Sequence, residues 1–192
     1  MQVIFKNPLP IPAGTAAEAP AIAQAQAQTV QQVFGANSVG NLVVDKVSPA
    51  DQGSTVQMRQ EIDSVPVYGA TVAEKLSADG SLVSASGALS QQAKGKYPAG
   101  VTTPPTAVAA TALRALAEQT KQSRDKFAVS GTVAMWFDTK LAAKNSAAPS
   151  VAVPAYQVSV KGAAAQGKQP VQWVVFIDAN NTGRVLGGWS GR

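Results

Sequence analysis

The chain has 192 residues, 16 Lys+Arg against 11 Asp+Glu, a formal net charge of +5, and neither histidine nor cysteine. That length fits one large domain or two small ones, and a 45% hydrophobic content is enough for a packed core. Without His or Cys there is no Ser–His or Cys–His nucleophile pair, no imidazole or thiolate metal site and no disulfide. Carboxylates, Lys, Tyr and hydroxyls remain, a thin inventory for an enzyme.

The basic balance is not a nucleic-acid signature. Its tightest groupings are Lys94 with Lys96, and Lys121 with Arg124 and Lys126. A stacking platform needs aromatics interleaved with such cations, and only 6% of the chain is aromatic. The surface reads as mildly basic, suited to solvent or to an acidic protein partner. The longest strongly apolar run, Trp173-Val174-Val175-Phe176-Ile177, is far short of the ~20 residues of a spanning helix. No charged n-region and apolar h-region follow Met1. That is the pattern of a cytosolic protein, or of a chain that begins after a removed signal.

In chain order, Pro8, Pro10 and Pro12 mark an extended arm over residues 1–14. Ile22, Val30, Val33 and Phe34 then share one helical face. Thr15 and Glu18 have capping-box spacing, Pro20 suits a first turn near Glu18, and Gly35 suits the stop. Four strand-like runs follow: Asn41–Val47, Thr55–Ile62, Val65–Leu76 and Leu82–Leu89. In Thr55–Ile62, Val56, Met58 and Ile62 share one parity with Gln60, whose amide needs partners if buried. Asp79-Gly80 between the last two runs is a hairpin signal. Val65-Pro66-Val67 places a proline where an edge or bend tolerates it, and Gly69 suits a bulge. Tyr68, Ala70, Val72 and Leu76 share a parity that reads as core, and Glu74 interrupts it as an exposed position on a twisted strand.

Residues 91–103 read as a linker, with Gly, Pro and Lys and no periodicity. Thr103-Pro104-Pro105-Thr106 opens a second helix whose face carries Val108, Ala112, Leu113 and Leu116 and which fades by Lys121. Strands are predicted at Val129–Asp138, Pro154–Val160, Val171–Asp178 and Arg184–Trp189, with a loop over Ala142–Val153. The second half repeats the plan of the first. Trp173, Val175 and Ile177 alternate with Val174 and Phe176, so that strand is apolar on both faces and central, or covered by a partner. Trp189 is a core plug or an interface anchor. Glu61 and Asp63 share a solvated face and make no acid–base dyad; Asp45, Asp79, Asp138 and Asp178 sit at strand ends, where Asp favours turns. Asn180-Asn181-Thr182 is a glycosylation sequon.

Two segments carry a family resemblance. The first is Gln60-Glu61-Ile62-Asp63-Ser64-Val65-Pro66-Val67-Tyr68-Gly69-Ala70, followed by Asp79-Gly80 and Val83-Ser84-Ala85-Ser86-Gly87. It resembles the FTP motif, the fungalysin/thermolysin propeptide. The second is Trp173-Val174-Val175-Phe176-Ile177-Asp178-Ala179 with Thr182-Gly183-Arg184-Val185-Leu186 and Trp189. It resembles the end of the PepSY domain in thermolysin-family proproteins. Together with the two helices, the resemblance covers residues 15–190. Ser64 stands where the family usually has Gly, Ala70 where a second Gly is frequent, and Asn180-Asn181 lengthens the last turn by one residue.

The resemblance implies an α+β fold of two small subdomains, each a helix packed on an antiparallel β-meander in the cystatin-like manner. An FTP-like domain would span 15–90 and a PepSY-like domain 104–192. Its motif residues would be Gln60, Val65, Pro66, Val67, Tyr68, Gly69, Asp79 and Gly80 in the first, and Trp173, Phe176, Asp178, Gly183, Val185 and Trp189 in the second. It also implies a non-catalytic role, as the propeptide of a secreted or periplasmic zinc metalloprotease. That propeptide would act as intramolecular chaperone and inhibitor, with no cofactor or metal of its own. Its partner would be the cognate catalytic domain, not nucleic acid or membrane, with Arg192 near the processing junction. The alternative is a free-standing secreted FTP/PepSY binding or inhibitor module.

Overall fold

The computed structural model describes residues 1–36, 39–143, 149–163 and 170–191. It corrects the expected fold class. The chain is mostly β, 47% strand and 23% helical, with nine strands and few helices among the described residues, and is not a pair of cystatin-like helix-on-meander subdomains. The excess strand comes from segments read as irregular. Gln2–Leu9 of the proline-rich N-terminus is a strand, and the runs predicted from Asn41 and Pro154 extend to Asn41–Ala50 and Ala152–Gly162. An exposed sheet edge offers unpaired backbone groups to any extended neighbour, and the N-terminal segment takes that place despite its prolines.

The chain divides into two compact units, Met1–Ala93 with Lys140–Ala152, and Lys94–Thr139 with Val153–Arg192. In the first unit, strands β1 (Gln2–Leu9), β2 (Asn41–Ala50), β3 (Gly53–Ile62), β4 (Val65–Leu76) and β5 (Leu82–Ala88) pair antiparallel in the order β1-β5-β4-β3-β2. Helix α1 (Ala19–Val33) is built of Ala and Gln, with Pro20 in its first turn. Gly35 ends it at φ 74°. Its buried side, Ile22, Ala23, Gln26, Ala27, Val30 and Gln31, faces the sheet on β2 and β3.

In the second unit, helix α2 (Thr106–Thr120) starts behind Pro105 and ends where Lys121 turns left-handed at φ 56°. It buries Val108, Thr111, Ala112 and Leu116 and lies against β6 (Phe127–Asp138), β8 (Gln172–Asp178) and β9 (Val185–Gly191). The strand order is β6-β7-β8-β9, with β7 at Ala152–Gly162. Tyr97, in the stretch read as a linker, is a core residue of this unit. Its hydroxyl donates to Ala155 O at 2.9 Å and its ring meets Trp136 edge-on at 5.9 Å. Burial pushes that phenol up to about 12. Phe137 and Phe176 stack at 4.6 Å. None of the described helices is long and apolar enough to cross a membrane.

Candidate functional site

In the first unit the site is organised by Gln60. Alternation along β3 turns Val56, Met58, Gln60 and Ile62 to the buried face, and the Gln60 side chain is fully buried. Its Nε2 donates to Val39 O at 2.8 Å and Ser90 O at 3.0 Å, and its Oε1 accepts from Ser90 N at 2.8 Å. One amide therefore clasps the chain just before β2 to the chain just after β5. Both Nε2 protons and one acceptor site of Oε1 are thereby satisfied within the protein, which offsets the loss of water on burial.

A bulge in β4 lies opposite this clasp. Arg59 pairs with Thr71 and Glu61 with Pro66, so β4 spends four residues, Val67 to Ala70, where β3 spends only Gln60. Gly69 takes φ 74° within it, a conformation open to glycine and strained for other residues. The bulge switches the parity of the strand. Val65 and Val67 are buried at its start, Ala70 and Val72 at its end, and Tyr68 is half-buried on the way. Tyr68 thus does not belong to the Ala70–Leu76 core row that simple alternation assigns to it. Pro66 is half-buried beside Glu61.

Glu74 is the larger departure. Alternation after the bulge carries Val72, Glu74 and Leu76 inward, and Glu74 is fully buried, not exposed. Among the described residues neither of its carboxylate oxygens has a hydrogen-bond partner. Burial pushes the carboxyl up to about 8, because a lone carboxylate is costly in an apolar layer.

The two turns flanking β4 differ. Asp63 and Ser64 form a two-residue loop between paired Ile62 and Val65, both with positive φ, 51° and 63°. That is the geometry Asn-Gly fills without strain. At the other end Asp79 Oδ1 accepts from Ser77 Oγ and from Ser81 N, which holds its carboxyl below the usual range. Gly80, at φ 82°, lies so close to Ile11 and Ile22 that a Cβ there would meet both at 2.8 Å. On the outer face Arg59 bonds Glu61 Oε1 at 2.9 Å and Asp45 Oδ1 at 2.6 Å.

In the second unit, Trp173 and Val174 are half-buried on β8, and Val175, Phe176 and Ile177 are buried. Asp178 orders the turn into β9. Its Oδ1 accepts from Asn180 N at 2.8 Å, its own N donates to Arg184 O at 3.0 Å, and its Oδ2 lies 3.7 Å from the Arg184 guanidinium. Gly183 is exposed, and its N donates to Asn181 Oδ1. Asn180 spends its side-chain amide on Lys96 O at 3.1 Å. Val185 is exposed beside Ile177, and the Trp189 backbone pairs with Val174. Arg192 lies outside the described residues.

The predicted site residues are thus two groups, one in each unit. Sequence reading missed Val39 and Ser90 as partners of Gln60, since backbone partners leave no residue-type signal. It also misplaced Glu74, although the parity that Glu74 shares with Val72 and Leu76 was the signal.

Residues 41–89 match the Fungalysin/Thermolysin Propeptide Motif, from the first residue of β2 to the residue after β5. A protein named zinc metalloproteinase from Renibacterium salmoninarum is 36% identical over 132 residues. The match spans 66% of this chain and 22% of that relative's length. The motif is a propeptide motif, so this chain is pro-region sequence and not a catalytic domain.

Proposed function

We propose that the chain is the propeptide of a secreted or periplasmic thermolysin-like zinc metalloprotease, acting on its catalytic domain as intramolecular chaperone and as inhibitor. The observation that carries this reading is the coincidence of the propeptide motif with the β2–β5 run that Gln60 clasps. A sheet whose turns and register are already fixed can template contacts distant in sequence, which are the slow ones for a folding domain to find. Among the described residues of this unit β2 pairs only with β3, so its other edge is the natural template.

The resemblance of residues 104–192 to a PepSY domain gives the inhibitory half of the proposal. The segment Val185–Arg192 would lie across the protease cleft, with the processing junction near Arg192. With no histidine in the chain, no imidazole reaches the partner's zinc. The block is steric, with a backbone carbonyl or a carboxylate near the metal. Gln60, Val65–Gly69, Asp79 and Gly80 then act as fold-setting residues, and Phe176, Asp178, Gly183 and Val185 shape the presented hairpin.

The test is inhibition in trans. The folded chain, at about micromolar concentration (the Kd scale of a weak but specific complex), is added to the mature protease translated from the same gene. Inhibition that saturates with added chain is expected, and undiminished proteolysis overturns the inhibitory role.

A further inference from the structure

Among the described residues of the first unit, Glu74 is the one buried ionisable group that the clasp, the turns and the surface ion pairs leave unused. Its row across the sheet runs from Val56 through Glu74 to Ala85 and Val3, with Val47 exposed at the β2 end of the same row. The neighbouring positions along the strands are Met58, Val72, Leu76 and Leu82. Helix α1 above the sheet has no charged residue between Ala19 and Val33, and β5 has none. The charges of the other strands are Lys6, Asp45, Lys46, Arg59, Glu61 and Lys75. All stand on the opposite parity, in the β2 bulge or on the exposed part of β1. The Met1 ammonium is exposed and spent on Gly87 O at 2.8 Å. No described cation therefore faces the carboxyl.

We propose that Glu74 is a proton sensor for the first unit: protonated, it lets α1 close on the sheet, and as the pH rises its proton passes to solvent and the closed form gives way. The sign follows from linkage. An opened unit ionises Glu74 at its ordinary value of 4.5, whereas the closed unit holds the proton to about 8. Between these two values the closed form binds one more proton, so opening becomes about tenfold more favourable per pH unit. It levels off above about 8 and is least favourable below 4.5. The corollary rests on the propeptide reading: rising pH weakens the hold of this pro-region on its protease.

The experiment follows the carboxyl carbons of the chain's four glutamates by 13C NMR from about pH 4 to 9, across the ordinary range and well beyond it. One resonance is expected to titrate near pH 8 and to be missing in E74Q. Four ordinary titrations overturn the sensor. In parallel, the urea midpoint of the wild type should fall between about pH 5 and 8, while those of E74Q and E74L stay flat. An unchanged pH slope in both variants also overturns it. Inhibition assays separate the two claims. Wild type should lose potency over this range more steeply than E74L, and identical profiles overturn the release corollary. No inhibition by either chain at about pH 5 removes the propeptide reading and the corollary, while the titration still decides the sensor.

Discussion

Gln60 and Glu74 are two solutions to one problem, a polar side chain fully buried on the same face of adjacent strands. Gln60 sits where the sheet ends, next to backbone that has left its ladder, and every contact it makes is with that backbone. Glu74 sits mid-strand, where the neighbouring backbone is already paired with β3 and β5 and its cross-strand neighbours, Val56 and Ala85, are apolar. The difference teaches that position in the ladder, more than residue type, decides whether a buried polar group stabilises. Three hydrogen bonds turn the amide into a structural joint, and their absence turns the carboxyl into a liability conditional on pH.

The largest way to break this contrast is Q60A. It removes the amide's bonds to Val39 O and to Ser90 N and O from a buried site, and a loss of about 3–4 kcal/mol is expected in urea unfolding. Next is E74L, which fills the site with an apolar group and should stabilise the chain by about 2 kcal/mol at neutral pH. For the wild-type carboxyl the raised value means stability present below 4.5 and lost as pH rises to about 8, at ~1.4 kcal/mol per pH unit. Thermal melts across that window check the slope, which E74L should abolish.

The turns sharpen the comparison on a smaller scale. G80A forces a Cβ into Ile11 and Ile22 and holds alanine at φ 82°, so a loss of about 1–2 kcal/mol is expected from the melting curve. Replacing Ser64 by glycine has the opposite sign. It relieves a left-handed serine at φ 63° and should add about 0.5–1 kcal/mol, read as a higher urea midpoint.

Much of the local structure was legible in the sequence because its signals are local. The Asp79-Gly80 hairpin, the α1 stop at Gly35 and the full span of Val65–Leu76 rest on backbone preferences and alternation that neighbouring residues declare. What was not legible depends on distant pairing. The bulge opposite Gln60 resets parity within β4, so Tyr68 was placed by an alternation that the strand does not keep, whereas Glu74 was misplaced by setting aside the alternation that Ala70, Val72 and Leu76 do keep. The N-terminal strand pairs with residues about eighty positions away (Gln2 with Ser86, for instance), and no pattern in Gln2–Leu9 announces it. Tyr97 likewise owes its burial to Ala155 and Trp136, far along the chain. The fold class was missed for the same reason: short helices carry strong periodic signals, while edge strands carry weak ones. At the candidate site, the motif residues were recognisable, but the partners that explain Gln60 are backbone atoms.

The Gln60 clasp also has a temporal meaning. Its bonds join residues separated by 21 and 30 positions, whereas the β3–β4 and β4–β5 hairpins close through turns of a few residues. Short loops close first, and contacts of longer span follow once the hairpins are in place. The clasp is therefore expected to form late, after the barrier that folding must cross. Interactions of that kind act as a brake on opening and leave the approach to the native state almost untouched. Q60A is therefore expected to speed unfolding in a urea jump while leaving the refolding rate nearly unchanged.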